Sequence, residues 1–248
     1  MLKCLDADLH IHSCLSPCAD LMMSPKRIVE MAVKKGLDMI AICDHNSAEN
    51  ISAALKVAHN TVLTVLPGME ITTVEEVHVI GIFPSYDAIL SIQESVYARL
   101  TPGENKEDLF GEQIIANEID EVEGYNHRLL IGATNFSIEE VVQEIHDLQG
   151  LAIASHVDRE VYSIIGQLGF IPDGLDLDAL EISSLVTYDE AARRIPQLTH
   201  YPVVTSSDAH NLEDIGQRTT RFWIEKPTID EIRNAFQKRE GRGIVLEN

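Results

Sequence analysis

"DADLHIHSCLSPCAD", residues 6–20, is the stretch on which the fold turns. Side chains two apart on a strand point the same way, so His10 and His12 can both face inward. Two imidazoles on one face, with a carboxylate nearby, make a first-row metal site. Cys14 and Cys18 follow, four residues apart across Pro17. They read as small packing residues at a strand-to-helix turn. A thiolate zinc ligand and a redox pair are the other readings, although redox pairs stand closer in sequence.

Outward from this strand, apolar runs and amphipathic runs alternate. "SPKRIVEMAVKKG" opens on Ser24 as N-cap, places Pro25 in the first turn and closes on Gly36, which predicts a helix. "LDMIAIC" is a buried strand ending at Asp44 and His45, and "TVLTVLPG" leads to Glu70. "VHVIGIF" opens with His78, "LAIASH" ends at His156, "LDALEIS" ends near Glu181, and "YPVVTSSDAH" ends at Asp208 and His210. Ser137 with Glu140, and Thr228 with Glu231, predict capping boxes at two helices.

Repeated β-then-α units predict a parallel sheet with helices outside, and about seven strands favour a closed barrel. The expected fold is therefore α/β, a closed barrel of about seven strands, as a single domain over 1–248. The rhythm breaks over about 85–135, where polar, acidic, Gly-punctuated residues read as an insertion or lid over one mouth.

In a parallel barrel the carboxyl ends of the strands share one face, and that face holds the active site. His10, His12, His45, Glu70, His156, Asp208 and His210 all stand at or just past strand ends, and only His78 opens one. Residues distant in sequence thus converge. His59, His127, His146 and His200 fall in helices or loops and read as surface residues, with His127 a candidate for the insertion.

Taken together, "DLHIHS", "AICDHN", "GMEIT", "VHVIGIF", "IASHVDR" and "SSDAH" resemble the PHP (polymerase and histidinol phosphatase) family, in order and spacing, from Asp6 to Phe222. The stand-alone phosphoesterases of that family are the most similar. The resemblance implies an α/β fold, a distorted (β/α)7 barrel, PHP-like, that binds two or three divalent ions (Zn, Mn or Fe; Mg possible). It implies as metal ligands His10, His12, Asp20, His45, Glu70, His78, His156, Asp208 and His210. Asp20 corresponds to the acid of the family's usual "SDG", replaced here by "SPCAD", and Val157 stands where the family has proline after the histidine. These departures leave open whether Asp20 or a neighbouring cysteine completes the set.

Such ions lower the pKa of bound water, so the expected catalytic group is a water held at Glu70, His45 and Asp208. No Gly-x-Ser-x-Gly elbow, Walker loop or dinucleotide glycine motif competes with this reading. Arg159, three residues past His156, and Arg218 are the candidate phosphate contacts. Asp44 and Asp158 adjoin ligands and are candidates to orient imidazoles.

Charge narrows the substrate. Nineteen Lys+Arg stand against 40 Asp+Glu, a net charge of -21, which disfavours long nucleic acid as a partner. The expected activity is metal-dependent hydrolysis of a small phosphorylated metabolite, such as a nucleotide or a sugar or amino-alcohol phosphate. The alternatives are exonuclease-type cleavage of short oligonucleotides and a non-catalytic, metal-bound regulatory domain. With no apolar run of membrane-spanning length, a charged Met1 end and four cysteines without scaffold density, a reduced cytoplasmic setting is expected.

Overall fold

The computed structural model describes residues 1–245; the last three residues of the expected 1–248 domain lie outside them. Seven strands form the barrel wall: β1 (Lys3–Ile11), β2 (Met39–Ile42), β3 (Thr64–Thr72), β4 (His78–Ile82), β7 (Leu151–Ala154), β8 (Ala179–Ile182) and β9 (Val203–Thr205). They line up in that order, and β10 (Thr220–Ile224) and β11 (Gly243–Val245) extend the sheet outward from β1. The wall nearly closes. Ala209 bridges to Ile11, and the Thr205 N–H donates to the Thr220 hydroxyl at 2.8 Å.

One strand departs from the expected parallel pattern. β4 runs antiparallel to both β3 and β7, while the remaining wall pairs are parallel. This reversal explains why His78 opens its strand. The amino end of an antiparallel strand lies at the same rim as the carboxyl ends of its neighbours. β3 makes the change of partner within its own length, pairing with β2 up to Pro67 and with β4 from Gly68 onward. A Cβ at Gly68 would lie 2.8 Å from the Ile42 carbonyl and 2.5 Å from the Cys43 sulfur, so only glycine fits there.

Two apolar layers flank the wall. Leu9, Met39, Ala41, Leu66, Ile80, Ile153 and Val204 fill the interior. Ile40, Ile42, Met69, Val79 and Ala152 point outward, against the helices. β1 carries one extra residue between Asp8 and Ile11 relative to β2, a bulge that reverses which side chains face in. Below it Leu5, Ala7 and Leu9 belong to the interior layer; above it Ile11 packs outward. His10 and His12 are thereby turned toward the mouth.

Local signals built the helices. α1 (Pro25–Lys35) starts with the Ser24 hydroxyl accepting from the Arg27 N–H and ends on Gly36 at φ 78, as its caps predict. α2 (Ile51–Ala58) follows β2. α3 (Tyr86–Arg99) is capped by Ser85 and buries Ile89, Ile92 and Val96. It therefore belongs to the helical layer, and the break in the barrel pattern begins after Arg99, not at 85. That stretch contains the short α4 (Glu107–Phe110) and a separate hairpin of β5 (Ile114–Ala116) and β6 (Val122–Tyr125). α5 (Ile138–Asp147) has the expected Ser137–Glu140 box. α6 (Ile164–Leu168) and α7 (Tyr188–Arg194) follow β7 and β8, and α7 carries a Thr187–Glu190 box that the sequence reading missed. At α8 (Ile229–Phe236) the Thr228 side chain makes no capping bond. Glu231 is already engaged by Arg242 and by the Glu225 N–H, so the expected box does not form. No helix among the described residues is long and apolar enough to cross a membrane.

Candidate metal centre

Every barrel strand reaches the mouth with a polar residue at or just past its rim end. Their focus is Glu70, on β3 and 1% exposed. Its Oε1 lies 3.1 Å from His78 Nδ1 and 3.4 Å from both His10 Nε2 and His156 Nε2. Its Oε2 lies 3.1 Å from His45 Nδ1 and 3.5 Å from His12 Nε2. Asp208 is the second focus, with Oδ1 3.2 Å from His12 Nε2, 3.4 Å from His10 Nε2 and 3.7 Å from His210 Nδ1. Burial alone would raise the Glu70 carboxyl, but the His78 and His10 imidazoles outweigh it and hold it well below the usual range.

The donor set fits divalent cations. His10 Nε2 and His12 Nε2 face each other at 3.1 Å, and the buried Nδ1 atoms of His45, His78 and His156 and Oε1 of Glu70 have no hydrogen-bond partner. Orphaned buried polar atoms cost free energy, and a shared cation satisfies several of them together. Among the described residues three groups have ligand atoms within 4.8 Å of one another: His12–Cys18–His45–His210, His10–His12–Asp208 and His45–Glu70–His78.

Asp20 is not brought into this cluster. It is exposed, and its carboxylate accepts from the Met22 N–H at 2.7 Å. Two consecutive turns, Ser16 N–H to the Ser13 carbonyl and Ala19 N–H to the Ser16 carbonyl, instead put Cys18 beside His12, His45 and His210. Burial pushes the Cys18 thiol up, but bonding with His210 and His45 prevails and brings it down to about 7. Cys14 differs. It is buried against Ile114 and Asn50, burial and Asp44 push its thiol up to about 12, and it serves as packing.

The residues behind the cluster were only partly legible. Glu181, on β8, accepts from His10 Nδ1 at 3.0 Å and from the His156 N–H at 3.1 Å. It stands at a strand end like the others, which is the signal that could have found it. The Ser16 hydroxyl donates to Asp44 and accepts from His12 Nδ1 at 3.0 Å. Asp44 thus acts one hydroxyl away from an imidazole, while Asp158 touches none and pins the Ser183 N–H and hydroxyl at 2.6 Å each. Asn46, also missed, donates to the Leu130 and Gly132 carbonyls at 2.8 Å each and so holds Ile131 at the rim. His156, Tyr162 and Asp208 adopt left-handed φ values of 29°, 56° and 50°, strain of the kind that clusters at functional sites.

A cavity of about 200 Å³ opens over the cluster, and Ile131, Arg159, Val161 and Tyr162 line it above the ligands. Arg159 pairs with Asp208 Oδ2 at 2.7 Å. Arg218 is elsewhere. It is exposed and lines a different cavity, at the seam between β9 and β10. His59, His127 and His200 are exposed, and His146 bonds Asp178 at 2.8 Å.

A barrel whose rim gathers imidazoles around two carboxylates has the donor set of a divalent-metal site. The chain belongs to the PHP domain family, which matches residues 8–171, with the PHP-associated family over 189–240. It is similar to an uncharacterized protein, MJ1587, of Methanocaldococcus jannaschii, 27% identical over 72% of this chain and 81% of that one. A 5'-3' exoribonuclease of Haemophilus influenzae is 31% identical over 36% of this chain and 34% of its own. The fold superposes on the lesion-specific endonuclease PfuEndoQ of Pyrococcus furiosus with TM-score 0.72 and 22% identity, covering 98% of this chain. The chain spans 58% of that endonuclease's length.

Proposed function

We propose that the protein hydrolyses the phosphoester of a small nucleotide-type metabolite, with two or three divalent ions held by His10, His12, Cys18, His45, Glu70, His78, His156, Asp208 and His210. The observation that carries this reading is the convergence of five imidazoles on Glu70 within 3.5 Å, with three of their nitrogens orphaned. Cys18 replaces Asp20 in the set, and a thiolate among imidazoles favours zinc or iron over magnesium.

Bound cations would lower the pKa of water at the mouth and neutralise phosphoryl oxygens. The chain's own residues do the rest. Glu181 holds a proton on His10 Nδ1 and Ser16 holds one on His12 Nδ1, so both Nε2 lone pairs point into the cluster. Glu70 stays ionised at the centre. Among the described residues Arg159 supplies the one Lys or Arg side chain lining this cavity and is the phosphate contact, released from Asp208 as substrate enters.

End-first cleavage of short oligonucleotides is the second reading, favoured by the likeness to an exoribonuclease and to endonuclease Q. The charge of -21 opposes a long duplex without opposing a short strand.

Purified protein loaded with zinc or manganese, offered nucleoside monophosphates and a labelled oligonucleotide, tests both. Phosphate release that His45→Ala abolishes supports the first reading, and nucleotide release from the strand alone supports the second. Stoichiometric metal without turnover of either contradicts both. Cobalt(II)-loaded protein is expected to carry a thiolate charge-transfer absorption that Cys18→Ser removes.

A further inference from the structure

The cavity over the cluster is polar below and apolar above, and its apolar side is built around one aromatic ring. Tyr162 stacks on the His78 ring with centroids 4.7 Å apart and planes 13° from parallel. Its carbonyl accepts from the His78 N–H at 2.9 Å, and its φ of 56° is a conformation that bulky residues rarely adopt. The residue is nonetheless 41% exposed, and among the described residues its hydroxyl has no hydrogen bond. Val161 beside it is 59% exposed, and Ile131 completes the apolar rim.

The backbone is thus held in a strained turn whose result is to present a pre-ordered aromatic face beside the metal ligands. Packing does not explain this, because neither Tyr162 nor Val161 is buried. A ligand does. With its phosphate at Arg159 and the cluster, whatever extends from the ester oxygen passes the Tyr162 ring. An amino-alcohol offers no flat face to that ring and a sugar only its C–H groups; a nucleobase offers a full π face, and base-on-aromatic stacking is tolerant of base identity.

We propose that Tyr162 is a specificity-determining residue that stacks the base of the substrate, making this mouth selective for nucleobase-bearing phosphoesters. The inference rests on the phosphoesterase reading of the same site and adds the substrate's second anchoring point.

Calorimetric binding of a nucleoside 5'-monophosphate and of ribose 5-phosphate to the manganese-loaded full chain tests it. The ratio of the two affinities isolates the base, because any disturbance of the phosphate site through His78 affects both ligands. Wild type is expected to prefer the nucleotide by about tenfold or more. Tyr162→Ala and Tyr162→Leu should bring the ratio near one, while Tyr162→Phe should retain it. A wild-type ratio near one, a preference that survives in both Ala and Leu variants, or its loss in Tyr162→Phe would overturn the proposal. Turnover of the same compounds is read separately. Absent turnover with the preference intact would count against the phosphoesterase reading and leave the base platform standing.

Discussion

At the floor of the barrel, Met39, Ile80 and Ile153 interlock with no polar atom among them. A few residues further along the same or neighbouring strands, His45, Glu70 and His78 are buried too but leave nitrogens and an oxygen without hydrogen-bond partners. Both regions are buried, so burial alone does not separate them. The floor is complete as it stands, whereas the imidazoles at the mouth are held from behind, His10 by Glu181 and His12 by Ser16 and Asp44, and leave donors for a bound ion. Stability should therefore reside in the floor and chemistry in the mouth, and substitutions can break that division.

The largest effect is expected from Glu70→Gln, which removes the charge that the surrounding imidazoles share. Its kcat should fall by about a thousandfold or more, several kcal/mol of stabilisation being at stake in such a centre, as steady-state kinetics would record. Ile153→Ala acts on the other region. Denaturant unfolding should show a loss of about 2–5 kcal/mol, with metal content unchanged in the folded protein.

Glu181→Gln tests the link between regions. It weakens the partner that fixes His10 while leaving the ligand itself in place. Metal affinity, followed by chelator competition, should fall about 10- to 100-fold. The smallest effect lies outside both regions. The Asp178 hydrogen bond raises His146 above its ordinary 6.5. A raised folded pKa contributes stability that is fully present below 6.5 and is lost as pH rises through the folded value. The stability difference between wild type and His146→Gln, measured on metal-free protein, should be about 1 kcal/mol at pH 5–6 and shrink at alkaline pH.

Short apolar runs made the strands legible, and strand ends made the ligands legible, because chain direction fixes which ends share a rim. The reversed β4 was hidden for the same reason. "VHVIGIF" reads alike in either direction, and His78 as an exception to the rule was its only trace. The β1 bulge was equally invisible, since an extra residue changes facing without changing composition. Asp20 and Cys18 show a different limit. Both are competent donors two residues apart, and only the turns at Ser13–Ala19 decide which side chain points inward. Arg218 failed similarly, its loop leading to the β9–β10 seam. Glu181 was seen at a strand end but given no role, because a residue that acts through His10 resembles any buried acid until its partner is placed.

Metal content is the most direct test of the central claim. Protein incubated with zinc or manganese, dialysed and measured by inductively coupled plasma mass spectrometry should retain two to three equivalents per chain, with the Glu70→Gln variant retaining clearly fewer. Wild-type protein that retains none, while folded, would contradict the account.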